Sequence, residues 1–294
     1  NRGPFLSMNP FSSRCCQHNH AQGWPYFTEH LVLATPDNGV AIAIYAACKA
    51  TVKVGDGKEI TLHEETNYPF EEAIAFTVST GEKVAFPFYL RIPSWTQKAE
   101  VRVNGKKVSA APVAGKYLCI NREWANGDRV ELTLPMSLSM RTWQVNKNSV
   151  SVDYGPLTLS LKIAEKYVEK DSRETAIGDS KWQKGADSKK WPTTEIYPDS
   201  PWNYSLVLDK KEPLKNFKVI RKSWPADNYP FTATSVPLEV KAIGRPVPEW
   251  KTDETGLCGV LPEEDAVKGD KEEITLIPMG AARLRISAFP NTKE

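Results

Sequence analysis

The 294-residue sequence has no long apolar run and no excess of charge of either sign. Its apolar runs fall well short of the roughly 18 consecutive residues that a membrane-spanning helix needs. Its 38 basic and 36 acidic side chains give a formal net charge of +2, too small to indicate a nucleic-acid surface. We therefore expect neither membrane insertion nor a nucleic-acid partner.

Cysteine is scarce as well. The five cysteines are an odd number and are scattered, unlike the paired sets that stabilise small disulfide-rich domains. Cys48 and Cys119 lie in strand-like sequence, and we expect both to pack in hydrophobic cores. Without disulfides the fold must rest on its cores, and the chain is long enough for two domains that each have one.

Two of the five cysteines and two of the four histidines nevertheless lie together, within residues 14–20. Thiolates are nucleophiles and soft metal ligands, so Cys15 and Cys16 are candidates for either role. An adjacent pair supplies only two of the four ligands of a zinc site, and His18, His20 or residues elsewhere would complete it. Spacing alone leaves two other interpretations open: inert packing of both thiols, and a vicinal disulfide.

A helix is predicted directly after this cluster. Trp24, Phe27 and Leu31 fall at i, i+3 and i+7 and form one apolar stripe, which we expect to be a packed face. Either Asn19 caps this helix, or Pro25 occupies its first turn. An Asn19 cap would place the two cysteines just before the helix N-terminus, where the helix dipole favours a thiolate.

From residue 36 onward the hydrophobic period changes to two. Short alternating segments are separated by turn residues, which predicts antiparallel strands rather than an α/β fold. Asn104-Gly105 suits the type I′ turn of a hairpin. The predicted strands are 40–47, 50–54, 58–64, 73–79, 85–92, the 101–108 hairpin, 117–120, 129–134, 149–154, 157–163, 204–208, 217–221, 232–242, 273–278 and 283–288.

The predicted fold is mainly β. It consists of two antiparallel β-sandwich domains, at 36–145 and 146–294, preceded by a short helical segment at 1–35. Residues 165–203 are polar and irregular and contain Trp182 and Trp191. These tryptophans either pack on the second sandwich or stack on a sugar.

The segment Cys15-Cys16-Gln17-His18-Asn19, followed by Gln-Gly-Trp-Pro at 22–25, resembles the Cys-Cys-x-x-Asn segment of glycoside hydrolase family 127. This is the β-L-arabinofuranosidase family of the DUF1680 group. Further similar segments follow in the family's order: Tyr-Leu-Arg-Ile-Pro-Ser-Trp at 89–95, Val-Arg-Val-Asn-Gly at 101–105, Gly-Asp-Arg-Val-Glu-Leu-Thr-Leu-Pro-Met at 127–136, Tyr-Gly-Pro-Leu at 154–157 and Leu-Ile-Pro at 276–278.

The resemblance implies that residues 1–35 are the C-terminal end of an (α/α)6 catalytic barrel, whose remaining part packs on them. It implies a retaining glycosidase in which Cys15 is the nucleophile and Cys15 and Cys16 bind Zn²⁺. The acid/base glutamate and the other zinc ligands belong to the barrel upstream. Glu29, Glu64 and Glu65 are therefore not assigned those roles.

The implied partner is a carbohydrate, a plant-type glycan or oligosaccharide, and the implied location is periplasmic or secreted. Because the chain alone carries half an active site, we expect it to be inactive by itself. Gln17 and His18 stand where some family members have prolines, a departure that leaves the exact sugar open. Two other classes remain: a non-catalytic carbohydrate-binding or structural β-sandwich module, and an acyl hydrolase in which His18 or His20 activates Cys15.

Overall fold

The computed structural model describes residues 14–170, 189–190, 192–253, 256–263 and 266–294. The fold is mainly β, as predicted, with one α-helix, α1 (Arg14–Glu29), before the strands. Residues 21–137 form one compact unit, which we call the first sandwich, and residues 138–294 make up most of another, the second sandwich. Each is described separately below.

Helix α1 begins earlier than either predicted start. It opens at Arg14 and contains both Asn19 and Pro25, so neither of these residues marks its beginning. Proline removes one backbone donor from the helix ladder. In the last turn, the hydroxyl of Thr28 donates to the carbonyls of Trp24 and Pro25 at 3.1 and 2.9 Å.

The predicted apolar stripe does not form a packed face in the described structure. Leu31 is buried, but it lies beyond the end of α1. Trp24 and Phe27 are 60% and 39% exposed. The i, i+3, i+7 spacing therefore identified a helical segment but not a buried one, because two of its three members contact solvent.

The first sandwich is built from two sheets. One has the order β1-β2-β6-β9 and the other the order β3-β4-β5-β10-β7-β8. The strands are β1 (Val32–Ala34), β2 (Val40–Ile42), β3 (Cys48–Val54), β4 (Lys58–Thr66), β5 (Ala73–Thr80), β6 (Val84–Arg91), β7 (Glu100–Val103), β8 (Lys106–Lys107), β9 (Tyr117–Trp124) and β10 (Arg129–Thr133).

The core of the first sandwich follows from the period of two. In β4, Ile60, Leu62 and Glu64 are buried while their neighbours are more exposed, so one face of the strand points inward. The aromatic centre is Trp124, fully buried, whose indole N–H donates to the carbonyl of Phe86 at 2.9 Å. A buried indole needs such a partner, since an unpaired donor is costly.

The second sandwich is built on one eight-stranded sheet and a two-stranded ribbon. The sheet has the order β11-β12-β13-β19-β18-β16-β20, with β17 also paired to β18, and β14 pairs with β15. The strands are β11 (Leu138–Trp143), β12 (Ser149–Tyr154), β13 (Leu157–Leu161), β14 (Glu165–Lys170), β15 (Thr193–Pro198), β16 (Tyr204–Leu208), β17 (Lys218–Arg221), β18 (Leu238–Pro246), β19 (Glu272–Pro278) and β20 (Asn291–Lys293).

A backbone bridge joins the two ends of this sheet. Val150 of β12 and Phe289 exchange N–H···O bonds of 2.8 and 2.9 Å, which places the segment before β20 beside β12. The sheet thereby folds over one hydrophobic core, in which Leu206, Val240 and Phe289 are fully buried. The described domain is thus one curled sheet around a single core.

Several predicted strands are shifted or wrong. Residues 283–288 are not a strand, and the last strand is β20, which runs parallel to β16. Residues 232–237 form turns stabilised by the Thr232 hydroxyl, which accepts the Ser235 N–H, so β18 begins only at residue 238. By contrast, the hairpin at Asn104-Gly105 is confirmed, since both residues have positive φ, as a type I′ turn requires.

The predicted domain limits, 1–35, 36–145 and 146–294, stay predictions. The limit at 145/146 falls in the turn between β11 and β12, whose pairing joins Trp143 to Ser149. Strands β11 and β12 are hydrogen-bonded along their whole length and belong to the second sandwich.

Candidate functional site

The cysteine pair lies in the first turn of α1, where Cys15 and Cys16 are the second and third residues. The first turn of a helix has backbone N–H groups without helical partners and a partial positive charge, and both stabilise a thiolate. The side chains of Cys15, Cys16, His18 and His20 lie outside the described part of the structure. Their predicted roles remain predictions.

A metal at the pair would need further ligands. Two adjacent thiolates are soft donors that suit zinc, but they fill only two of four tetrahedral positions. In the part of the chain that the structure describes, no three His, Cys, Asp or Glu side chains converge into a metal site. The donor chemistry of the pair fits zinc, and the zinc site stays a prediction.

Beyond the cysteines, α1 exposes aromatic side chains. Trp24, Tyr26 and Phe27 are 60%, 64% and 39% exposed, and the rings of Trp24 and Phe27 meet edge to face at 6.3 Å. The predicted barrel contact on residues 1–35 would use such a surface, and that contact stays a prediction. None of the described helices has the length and hydropathy required to cross a membrane.

A buried carboxyl group in the first sandwich was not singled out as a site residue by sequence reasoning. Glu64 of β4 is 2% exposed and lies cross-strand from Cys48 of β3 and Phe76 of β5. Its Oε2 is 3.9 Å from the Cys48 thiol, and its Oε1 has no partner among the described residues. The inward alternation of Ile60 and Leu62 is the signal that could have revealed this placement.

Burial controls the ionisation of this pair. It raises the pKa of Glu64 to about 8, against the weaker opposing effect of the Ala46 backbone N–H. Burial and the nearby Glu64 carboxyl raise the pKa of Cys48 to about 11. Near neutral pH both groups are therefore mostly protonated, so Cys48 is not an activated nucleophile.

The other predicted candidates have simple outcomes. Trp182 and Trp191, considered for sugar stacking, lie outside the described residues. Cys119 is exposed rather than in a core, so that prediction is wrong, and Cys48 is only partly buried. Cys119 belongs to β9, where Leu118 is buried and Cys119 faces the opposite side of the sheet.

The sequence comparison identifies the first sandwich. Residues 39–136 match the family model described as β-L-arabinofuranosidase, GH127 middle domain. The resemblance to this family is thereby confirmed. A search of curated proteins found no significant match.

Solved structures extend the similarity to both sandwiches. Ara127N-Se, a GH127 β-L-arabinofuranosidase from Geobacillus stearothermophilus T6, aligns with a TM-score of 0.63 at 22% identity, over 95% of this chain and 37% of that chain. A structure described as a glycoside hydrolase aligns with a TM-score of 0.63 at 22% identity, over 95% of this chain and 40% of that chain. A GH127 β-arabinofuranosidase aligns with a TM-score of 0.62 at 23% identity, over 95% of this chain and 38% of that chain.

These alignments establish a shared fold. The chain spans 37–40% of the length of these structures. It therefore corresponds to part of a GH127-type architecture, and the activity of the whole is a separate question.

Proposed function

We propose that this chain is the C-terminal part of a retaining glycoside hydrolase of the β-L-arabinofuranosidase type. The observation that carries the proposal is the match of residues 39–136 to the GH127 middle domain. The cysteine pair lies directly upstream of that domain, in the order expected for this family. The substrate class would be a plant-type glycan or oligosaccharide, in a periplasmic or secreted setting.

In the proposed reaction, the sulfur of Cys15 attacks the anomeric carbon and the bond from that carbon to the leaving oxygen breaks. The leaving oxygen takes a proton from an acid supplied by the barrel. Water then attacks the anomeric carbon and gives a proton to the conjugate base of that acid, while the C–S bond breaks and releases the Cys15 thiolate, so that two inversions give net retention. The position of Cys15 in the first turn of α1 supports the thiolate that this step needs.

Cys15 and Cys16 would hold Zn²⁺ through two thiolates, with the remaining ligands from the barrel. When bound, zinc keeps a coordinating thiol deprotonated near neutral pH. Since a cysteine replaces the usual carboxylate nucleophile, deprotonation is the main requirement that the site must meet.

We expect the 294-residue chain alone to be inactive on aryl glycosides. In the proposed division of the site the proton donor belongs to the barrel, and general acid catalysis typically contributes about 10²–10⁴-fold. An assay with an aryl β-L-arabinofuranoside measures this directly. Robust turnover that a chelator abolishes would contradict the proposed division of the site.

Cys15→Ser in the intact parent tests the nucleophile. A serine hydroxyl is not ionised near neutral pH, so we expect nearly all activity to be lost. Cys16→Ser should also impair the enzyme, and added zinc should restore part of the rate. Cys119→Ser is the matched control, because this exposed thiol lies on β9 of the first sandwich, and it should leave activity unchanged.

A covalent probe makes the test decisive. A sugar-like electrophile should label Cys15, as peptide mass spectrometry would show. Label on a carboxylate, with Cys15→Ser still active, would overturn the cysteine mechanism.

A non-catalytic carbohydrate-binding or structural module is the second candidate. It is favoured because this chain aligns with only 37% of the GH127 structure from Geobacillus stearothermophilus T6. A part of that size can support a catalytic domain without itself carrying out the reaction. A parent that binds glycans but cleaves none would support this alternative.

A further inference from the structure

The second sandwich carries an open groove of about 610 Å³, within the size range of small-molecule sites. It lies beside the β14–β15 ribbon, and Ile163 and Ile286 of the hydrophobic core reach its lining. Its walls combine aromatic, charged and aliphatic side chains. The lining residues used in the argument are Tyr197, Trp202, Asp253, Leu257, Arg283 and Arg285.

One wall is a fixed aromatic surface. Trp202 is half-buried and packs edge to face on Trp250 at 5.2 Å. Trp250 is itself buried, and its indole N–H donates to the carbonyl of Gly259 at 3.0 Å. A ring held by a buried ring loses little freedom on binding a ligand, which lowers the entropic cost.

The lining also includes two arginines. The Nε of Arg285 donates to the carbonyls of Met279 and Ala282 at 3.1 and 2.8 Å, which orients its guanidinium group. Arg283 donates through Nη1 to the carbonyl of Phe231 at 3.5 Å. Among the described residues, neither arginine forms a salt bridge with a carboxylate.

The acidic groups near the groove are already engaged by backbone donors. The carboxylate of Asp253 accepts the Leu257 N–H at 3.0 Å, and that of Glu165 accepts the Arg283 N–H at 3.0 Å. Among the described lining residues, two guanidinium groups thus accompany one carboxylate, that of Asp253. The combination of an aromatic face and oriented guanidinium donors suits a ligand with an apolar face and an anionic edge.

We propose that this groove binds an acidic sugar residue of an oligosaccharide, with its carboxylate on Arg283 and Arg285 and its ring face against Trp202. The C–H bonds on one face of a pyranose are apolar, whereas a uronate carboxylate has the planar geometry that guanidinium groups pair with. The choice of a sugar rests on the proposed glycosidase function; the site itself does not include Cys15 or Cys16.

The groove contains its own reporter, the exposed thiol of Cys258. A bound ligand should shield it from a maleimide, whereas Cys119 of the first sandwich, also exposed, should react at an unchanged rate. The probes are a galacturonic acid trimer and the neutral galactose trimer of the same linkage. At ten times the Kd of the acidic trimer, we expect alkylation of Cys258 to slow about tenfold, by mass action.

Substitutions in the 294-residue chain locate the carboxylate contact. Arg283→Gln and Arg285→Gln should each weaken the acidic trimer about tenfold or more, because charge-assisted hydrogen bonds are lost. Arg283→Gln removes little protein structure, so it keeps the test valid if Arg285→Gln impairs folding. Arg102→Gln, an exposed arginine of β7 in the first sandwich, is the matched control and should leave affinity unchanged.

The outcomes are distinct. Absence of Cys258 protection by the acidic trimer, equal protection by both trimers, or equal loss with Arg102→Gln would each overturn the proposal. In another outcome, protection of Cys258 depends on Arg283 while the intact parent cleaves no arabinofuranoside. That result would support the groove and refute the proposed function. The reverse pattern, cleavage without protection, would refute the groove alone.

Discussion

The two sandwiches bury carboxyl groups in opposite electrostatic settings. In the first, Glu64 is 2% exposed and has no cationic partner among the described residues. In the second, Glu239 of β18 is 8% exposed and accepts hydrogen bonds from Lys162 and Lys222 at 2.7 and 2.6 Å. Burial pushes both pKa values upward, but the two lysines reverse the effect for Glu239, whose pKa is lowered.

The comparison shows that burial alone does not decide the charge of a carboxyl group. Whether the group is protonated or ionised in the folded protein depends on the partners that the sheet register places beside it. Glu64 therefore favours folding at low pH, whereas Glu239 favours folding above its ordinary pKa. The two domains should respond to pH in opposite directions through these groups.

Glu64→Gln is expected to have the largest effect. The folded pKa of about 8 lies above the ordinary 4.5, so the contribution of Glu64 to stability is lost as pH rises from 4.5 to 8. The variant cannot ionise, and its free energy of unfolding should exceed that of the native chain by roughly 3–5 kcal/mol at pH 8, about 1.4 kcal/mol per pKa unit. Urea unfolding at pH 4.5, 6 and 8 measures the difference.

The matched control is Glu65→Gln, because Glu65 is exposed and pairs with Arg129 at 3.1 Å. It should change the pH dependence little. Parallel curves for Glu64→Gln and the native chain would show that Glu64 is ionised when folded.

The double variant Lys162→Met, Lys222→Met tests whether the two lysines keep Glu239 ionised in the folded protein. It converts Glu239 into a buried carboxyl group without cations, like Glu64. Since both lysines are about one third exposed, the loss should be about 1–3 kcal/mol at pH 8, below the range for fully buried pairs. The loss should shrink only as pH falls below 4.5 and through the lowered pKa of Glu239, so it should be much smaller at pH 3 than at pH 8. Urea unfolding at the two pH values measures it.

Lys241→Met is the control, since its partner Glu273 is 61% exposed. Adding Glu239→Met to the double variant should recover stability, because no unpaired charge remains. A double variant as stable as the native chain at pH 8 would refute this role of the lysines.

Asn104→Gly should have the smallest effect of the three. The side chain of Asn104 donates to Asp128 at 2.7 Å and accepts the Arg129 N–H at 2.8 Å. Although burial pushes the pKa of Asp128 upward, the Ala125 N–H and Asn104 outweigh it and the pKa is lowered. Glycine keeps the positive φ of residue 104, so only these bonds are lost, at about 1 kcal/mol.

The effect of Asn104→Gly should shrink as pH falls below 3.8, where Asp128 becomes protonated. Asn38→Gly, at the other positive-φ asparagine of the first sandwich, is the matched control in urea unfolding. Equal losses in the two variants would mean that the backbone, not the bonds to Asp128, explains the result.

Local patterns predicted much of the fold. The 149–154 and 204–208 strands were placed to the residue, because alternation and turn residues act over a few positions. The errors came where distant contacts overrule local pattern: residues 283–288 alternate like a strand, yet residues 291–293 pair with β16 instead. The candidate cysteines could be found by adjacency, but their roles came from family resemblance and stay proposals.

The sequence by itself determined the mainly β class, the hairpin at Asn104-Gly105 and the adjacency of Cys15 and Cys16, since each depends on neighbouring residues. Only the tertiary structure decided that Glu64 lies beside Cys48, sixteen residues earlier in the chain, without a cation. It also decided that Trp202 and Arg285 line one groove. These placements depend on strand register and on the packing of distant segments, and local periodicity carries no information about either.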